Sequence, residues 1–263
     1  MKRLSKLSLS FGIALACLVA QPTAAQSEEA QEIMRKNDDA EGFASAYMHF
    51  FQTITTSSGA ERTLEVRAWT VDSGDKQLAE YLAPADIKGQ KILMTEDGDN
   101  IWMFNAETRR TRKLGSHMKK RKVMGSDFTY EDQSGGKMSE KYDGVKVGEE
   151  TLDGEPCYVL DLTPTPKGPS YSKVRAWVST GDFVARRLDF YENGEEEPFK
   201  RLVMSDVRTV DYELDGQQSS KIVPFKMVMT NLEDRTETVN ITESVQFGVK
   251  LPGTIFDPRN LDR

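Results

Sequence analysis

Apolar and polar residues alternate with period two along much of this chain, and that rhythm predicts strands. In "TETVNITESVQF", residues 236 to 247, Val239, Ile241, Val245 and Phe247 form one set, and Thr238, Asn240, Thr242, Ser244 and Gln246 form the other. The first set reads as the dry face and the second as the wet face. "PFKMVMT" sets Phe225, Met227 and Met229 against Lys226, Val228 and Thr230. "YSKVRAWV" sets Val174, Ala176 and Val178 against Lys173, Arg175 and Trp177. In "RLVMSDVRTVDYEL", Leu202 and Met204 fall out of register with Val207 and Val210, which predicts a bulge.

Turn signals separate these runs: Asp72-Ser73-Gly74, Asp97-Gly98, Asp143-Gly144, Asp153-Gly154, Thr180-Gly181-Asp182, Glu192-Asn193-Gly194 and Asp215-Gly216. Asp-Gly and Asn-Gly suit hairpins because both central residues tolerate positive φ. One helix is expected near residue 30. Ser27 would cap it, Glu28 and Glu29 would suit its positive end, and Ala30, Ile33 and Met34 would be its apolar stripe. "FASAYMHFFQTIT" fits helix or strand, and the β-rich "TLEVRAWTV" behind it favours strand. A short helix or lid-like loop is expected around residues 115 to 140. The sum is a mainly β protein: about ten or eleven antiparallel strands in one large curved sheet, an N-terminal helix and a short lid. Strands with one wet face suit a single sheet that curls partly around a cavity.

Composition changes this picture at the N-terminus. Lys2, Arg3 and Lys6 precede the apolar Leu7–Ala20, and Thr23-Ala24-Ala25 offers small residues for cleavage. Residues 1–25 therefore read as a secretory signal peptide, and residues 26–263 as a single domain exported to the periplasm. Lipid attachment at Cys17 is disfavoured, because Ala14 stands where a lipobox wants Leu, Val or Ile. Cleavage near Ala25 leaves 32 basic residues against 42 acidic ones. Eight of the basic residues lie in "RRTRKLGSHMKKRK", residues 109 to 122, which holds no acid. An exported, net-acidic chain is a poor nucleic-acid binder, so this run reads as local attraction to an anionic partner or membrane surface. Cys157 is then the one remaining cysteine. It forms no internal disulfide and is expected to be a buried apolar residue.

Enzyme chemistry finds little support. His49 and His117 show no metal-ligand spacing, and "EDGDN" reads as a hairpin turn before a calcium loop. Three S-x-x-K matches lack their companion motifs. There is no nucleophile elbow, phosphate loop or dinucleotide fingerprint. The expectation is no catalytic residue, no metal and no cofactor.

Six segments in chain order carry a resemblance: "APADIKGQKIL", "IWMFNAETRRTRKL", "MGSDFTYED", "GEPCYVLDLTP", "YSKVRAWV" and "RRLDFYENG". "LPGTIFDPRNL" fits less distinctively, and "GSDFTYED" is the most specific. The chain resembles the bacterial outer-membrane lipoprotein-sorting-like proteins, relatives of the periplasmic lipoprotein carrier LolA. The resemblance implies an unclosed half β-barrel of about eleven strands with a helical lid. It implies a carrier that holds a lipid, or the acyl chains of a lipoprotein, in the concave face. It also implies transfer between membranes or to and from an inner-membrane efflux-type transporter, with transient membrane contact by a monomer. The lid arginine of the better-known carriers is not placed here. A sensor module that binds lipoprotein and a membrane protein is the alternative reading. An enzyme on a lipid-like substrate is the third.

A carrier of acyl chains needs a deformable apolar surface, which methionine supplies. The groove candidates are Trp69, Met94, Met103, Phe128, Tyr130, Phe225, Met227 and Met229. Trp102 and Met103 must face opposite ways. The docking candidates are Arg109, Arg110, Arg112, Lys119, Lys120, Arg121 and Lys122. Asp127, Glu131 and Asp132 are expected to pair with the basic run or stay solvated rather than bind metal, as exposed pairs of small energetic worth.

Overall fold

The computed structural model describes residues 24–192 and 194–263. The expected signal peptide lies outside the described residues except for Ala24 and Ala25. Those two open helix α1, Ala24–Glu41. Its buried stripe is Ala30, Ile33 and Met34, as the spacing predicts, with Asn37 added one turn on. Ser27 does not cap this helix, because the helix begins three residues before it.

Thirteen strands follow: β1 Ser45–Thr55, β2 Glu61–Val71, β3 Lys76–Ala83, β4 Lys91–Thr95, β5 Asn100–Asn105, β6 Arg110–Lys113, β7 Tyr142–Leu152, β8 Glu155–Pro164, β9 Lys173–Ser179, β10 Ala185–Tyr191, β11 Lys200–Leu214, β12 Gln217–Asn231 and β13 Thr236–Phe247. They form one antiparallel sheet in the order β6-β5-β4-β3-β2-β1-β13-β12-β11-β10-β9-β8-β7. Pairing of β1 with β13 joins the two halves of the chain. β6 and β7 remain as edges, so the half-barrel is unclosed. The count exceeds the expected ten or eleven. β6 shows why: all four of its residues are exposed, so no apolar alternation marks it.

α1 covers the inner face across β7 to β12. Ala30, Ile33 and Met34 share a buried cluster with Leu160, Leu162, Val174, Ala176, Val178, Phe190 and Met229. Asp143-Gly144 is not a turn but lies inside β7. A Cβ on Gly144 would sit 2.9 Å from the Met34 Cε and 3.1 Å from the Leu162 Cδ2, so the glycine permits close approach of the helix. Residues 114–141 cover the inner face elsewhere. They contain the 3-10 turn Ser116–Lys120 and the one-turn helix α2, Met138–Lys141. Val123 and Tyr130 join Ile54, Leu64, Val66 and Ile92 in a second inner cluster. On the outer face, residues 251–261 cross β2 to β5. Phe256 and Leu261 bury against Leu78, Leu93 and Phe104.

Two sequence readings of the faces are corrected. In β13 the polar set faces inward. Thr238 is fully buried and Asn240 and Thr242 nearly so, while Ile241 is 42% exposed. The cause is partners far away in sequence: Thr238 bonds Asp127, and Asn240 accepts from the Gln52 side chain at 3.0 Å. The β1–β13 register then shifts at Glu243, between the pairs Phe50–Thr242 and His49–Ser244. That shift returns Val245 and Phe247 to the inner side. In β11 the irregularity is at Asp206, which has φ 51°, yet pairing resumes at Val207–Pro224 in unchanged register. β9 and β12 keep the predicted faces. Val174, Ala176 and Val178 lie in the inner cluster, and Trp177 lies on the outer side with Cys157 and Val159.

Candidate functional site

The segment "MGSDFTYED" is the keel of the inner face. Asp127 is buried, and its carboxylate accepts from the Thr236 and Thr238 hydroxyls at 2.6 and 3.0 Å and from Lys122 at 3.1 Å. The Asp127 N–H donates to the Thr238 hydroxyl at 2.8 Å. Glu131 accepts from the backbone N–H and hydroxyl of Ser170. Asp132 accepts from the Thr129 N–H at 2.7 Å, from Lys200 at 2.7 Å and from the Tyr171 hydroxyl at 2.6 Å. The expectation of exposed carboxylates is therefore corrected: Asp127 is 2% exposed, and the Asp132 side chain is 3% exposed. The pairing of Asp127 with Lys122 of the basic run is as expected.

Lys200 completes this anchor. Its side chain is 3% exposed, and its ammonium lies 4.8 Å from the Tyr171 and Phe190 ring centres and 5.8 Å from that of Phe199. Burial, and then the Asp132 charge, push the Tyr171 hydroxyl far above its ordinary pKa, so it stays protonated as a donor. Nothing in the local sequence around Lys200 or Tyr171 signals this triad.

Two cavities lie on the inner face, one mixed and one mainly apolar. The mixed one, of about 310 Å³, lies beneath the end of α1; Phe128, Leu188, Phe190, Leu202 and Met229 make its apolar wall, and Asp38, Glu131, Asp132, Lys137 and Lys141 are among the charged groups that line the rest. The other, of about 220 Å³, is lined by Met48, Met204, Met227, Val223, Val245 and Phe247. Glu41 and Phe43 border both. Lys221 of β12 donates to the carbonyls of Asp39 and Ala40, which ties the long β11–β12 hairpin to the C-terminal end of α1. The Glu41 carboxylate accepts from the Asn37 side chain at 2.8 Å and the Ala185 N–H at 3.3 Å. Glu41 keeps exposed surface beside both cavities. Burial of its carboxyl raises its pKa, against the lowering effect of Asn37 and Ala185.

The predicted groove residues divide among several places. Phe128 and Met229 line the first cavity and Met227 the second. Met94 and Tyr130 are buried in the second inner cluster. Met103 pairs with Ile92, so it shares the inner face, and Trp102 turns outward as expected. Phe225 is buried with the Arg208 guanidinium 4.2 Å from its ring centre. Trp69 lies outside this site, on the outer face beside Leu78. Sequence reading missed Leu188, Leu202, Phe43 and Glu41.

The basic run is largely exposed. Lys119 pairs with Asp99, and Lys122 bridges Asp127 and Asp234. Arg109 donates to the Asp262 carbonyl, and Arg112 points a guanidinium N–H at the Met103 sulfur. Arg110, Lys120 and Arg121 make no side-chain bond or ion pair with the described residues and are exposed. Among the described residues, no group of three or more His, Cys, Asp or Glu side chains is placed to hold a metal ion. None of the described helices is long and apolar enough to cross a membrane.

A family model described as an uncharacterized protein matches residues 73–263. No curated protein matches. Among solved structures, a domain assigned to outer membrane lipoprotein sorting, from Vibrio parahaemolyticus, is similar. It is 24% identical over 90% of this chain and all of that one, with a TM-score of 0.80. A DUF1329 family protein from Desulfovibrio piger is 22% identical over 90% and 99% of the two chains, with a TM-score of 0.77. A LolA superfamily protein from Nitrosomonas europaea is 22% identical over 87% and 97%, with a TM-score of 0.67. These likenesses bear out the half-barrel and the resemblance to lipoprotein-sorting proteins.

Proposed function

Because this chain belongs to the family of uncharacterized proteins represented by that model, we propose that it is a periplasmic carrier for a lipid or the acyl chains of a lipoprotein. Its fold is that of the LolA-like lipoprotein-sorting proteins. The observation that supports the reading most is the inner-face cavity lined by Met48, Met204 and Met227, which the apolar wall of the mixed cavity, with Met229 and Leu202, extends. Methionine adapts to chains of varied shape. Each methylene buried there contributes about 0.8 kcal/mol, so an acyl chain binds without any specific polar contact.

In this reading the keel segment and α1 cover the cavities, and cargo enters where Phe43 and Glu41 separate them. Arg110, Lys120 and Arg121 are the free cations of the basic run, suited to an anionic head-group layer or an acidic face of a membrane transporter. Mass spectrometry of protein purified under native conditions tests the carrier. Acyl species should co-purify with the wild type and be lost from Met204→Trp and Met227→Trp, which fill the second cavity. Met229 is fully buried against α1, so a polar residue there would break the fold rather than test binding. A wild-type chain that takes up no acyl species from a membrane extract would overturn the proposal.

A further inference from the structure

On the side of the sheet away from the inner cavities, a cavity of about 410 Å³ lies between the sheet and the C-terminal segment. That size is within the range of small-molecule sites, roughly 300–1,000 Å³. Its floor is Trp69 and Leu78, direct cross-strand partners on β2 and β3. Its apolar roof is Leu251, Ile255 and Leu261. Ala68 and Ala79, the strand neighbours of Trp69 and Leu78, belong to the opposite face, so the sheet itself separates this space from the inner cavities.

The polar side of the cavity has a definite sign. Glu80 lines it, but the Arg67 guanidinium holds that carboxylate through two N–H donors at 3.1 and 2.9 Å. The same guanidinium lies 5.1 Å from the Trp69 ring centre. Lys91 and Arg263 also line the cavity. Lys91 uses one ammonium N–H on the main-chain oxygen of Arg263 at 2.7 Å, which leaves two for a ligand. The one acidic side chain of the lining is thus engaged by Arg67, while Lys91 and Arg263 bring two cationic side chains to the cavity, beside an aromatic floor and an aliphatic roof.

We propose that this cavity is a second binding site, for a small amphiphile with a flat or aliphatic body and an anionic head. The body lies on Trp69 beneath Ile255 and Leu261, and the head meets Lys91 and Arg263. The site is independent of the carrier reading, because it shares no residue with the inner cavities.

Anilinonaphthalene sulfonate is a suitable probe, having an aromatic body and one anionic group. It is titrated into the full chain and followed through backbone and indole NMR signals. Shifts should centre on Trp69, Ile255 and Leu261. Lys91→Met should weaken binding about tenfold, the size expected for loss of one charge-assisted hydrogen bond. The analogue without the sulfonate should bind about tenfold more weakly than the probe. Thr254→Trp, which sets an indole across the cavity, should remove the shifts, and Met227→Trp should leave them unchanged. If Thr254→Trp does not fold, the wild-type shift map and Lys91→Met decide between the outcomes. Shifts confined to inner-face residues, equal binding of the uncharged analogue, or no saturable shift would each overturn the site.

Discussion

Replacing Lys200 by methionine should destabilise the fold by about 3 kcal/mol, the lower end of the cost of breaking a buried ion pair. The ammonium makes bonds of 2.7 Å to Asp132 and 2.6 Å to the Tyr171 hydroxyl, with both charged side chains 3% exposed. Methionine keeps an unbranched chain among Tyr171, Phe190 and Phe199 but leaves the Asp132 carboxylate without a counter-charge. The cost stays near the lower end because Asp132 keeps the Tyr171 hydroxyl and the Thr129 N–H as donors. Urea denaturation followed by circular dichroism measures the change as a lower midpoint at unchanged slope. The double variant Lys200→Met with Asp132→Asn removes the orphaned charge and should recover about 2 kcal/mol relative to the sum of the two single changes. Asp132 anchors the segment that contains the basic run, so trypsin should also cut residues 109–122 faster in Lys200→Met. A loss below about 1 kcal/mol, or single changes that simply add, would refute the claim that this pair anchors the keel.

Glu41 gives a pH prediction. Its carboxyl is raised in the folded chain, so ionising it costs folding free energy. Glu41→Gln keeps the side-chain carbonyl as acceptor and should raise the melting temperature at pH 7. The gain should fade as pH falls through the raised value and vanish below about 4, where the carboxyl of the unfolded chain is also protonated; a gain that persists at pH 3 would contradict this. Gly144→Val puts methyl groups where the Met34 and Leu162 side chains already meet the backbone. It should cost about 1–3 kcal/mol by overpacking, read from denaturation midpoints. Charge reversal at Arg110, Lys120 and Arg121 should reduce sedimentation with anionic lipid vesicles at low salt and leave acyl binding intact. Unchanged sedimentation would remove the docking role from this run.

The strand rhythm, the α1 stripe and the faces of β9 and β12 were legible in the sequence, because local periodicity reports them directly. The orientation of β13 was not. Alternation separates two faces without saying which is covered, and here Asp127 and Gln52, 111 and 188 residues from their partners, bring the polar face inside. Lys200 was invisible for the same reason, since Asp132 lies 68 residues away. Asp143-Gly144 has the composition of a turn, but helix packing decides its place in β7. Trp69 suggests groove as a large apolar strand residue, yet it shares its parity with Glu65 and Arg67 and not with the inner Leu64 and Val66, and residues 251–261 cover it on the outer face. The motif "GSDFTYED" was the most specific part of the resemblance before its task was clear. Its carboxylates turn out to be anchors, and its Phe128 and Tyr130 are the apolar plugs they hold in place.

The central claim is that acyl chains lie in the inner cavities. A fatty-acyl probe with a photoreactive group at the chain end, activated in the wild-type chain and mapped by peptide mass spectrometry, tests it most directly. The account predicts adducts on Met48, Met204, Met227 and Leu202. Adducts confined to Trp69, Ile255 or the exposed edge strands, or none at all, would contradict it.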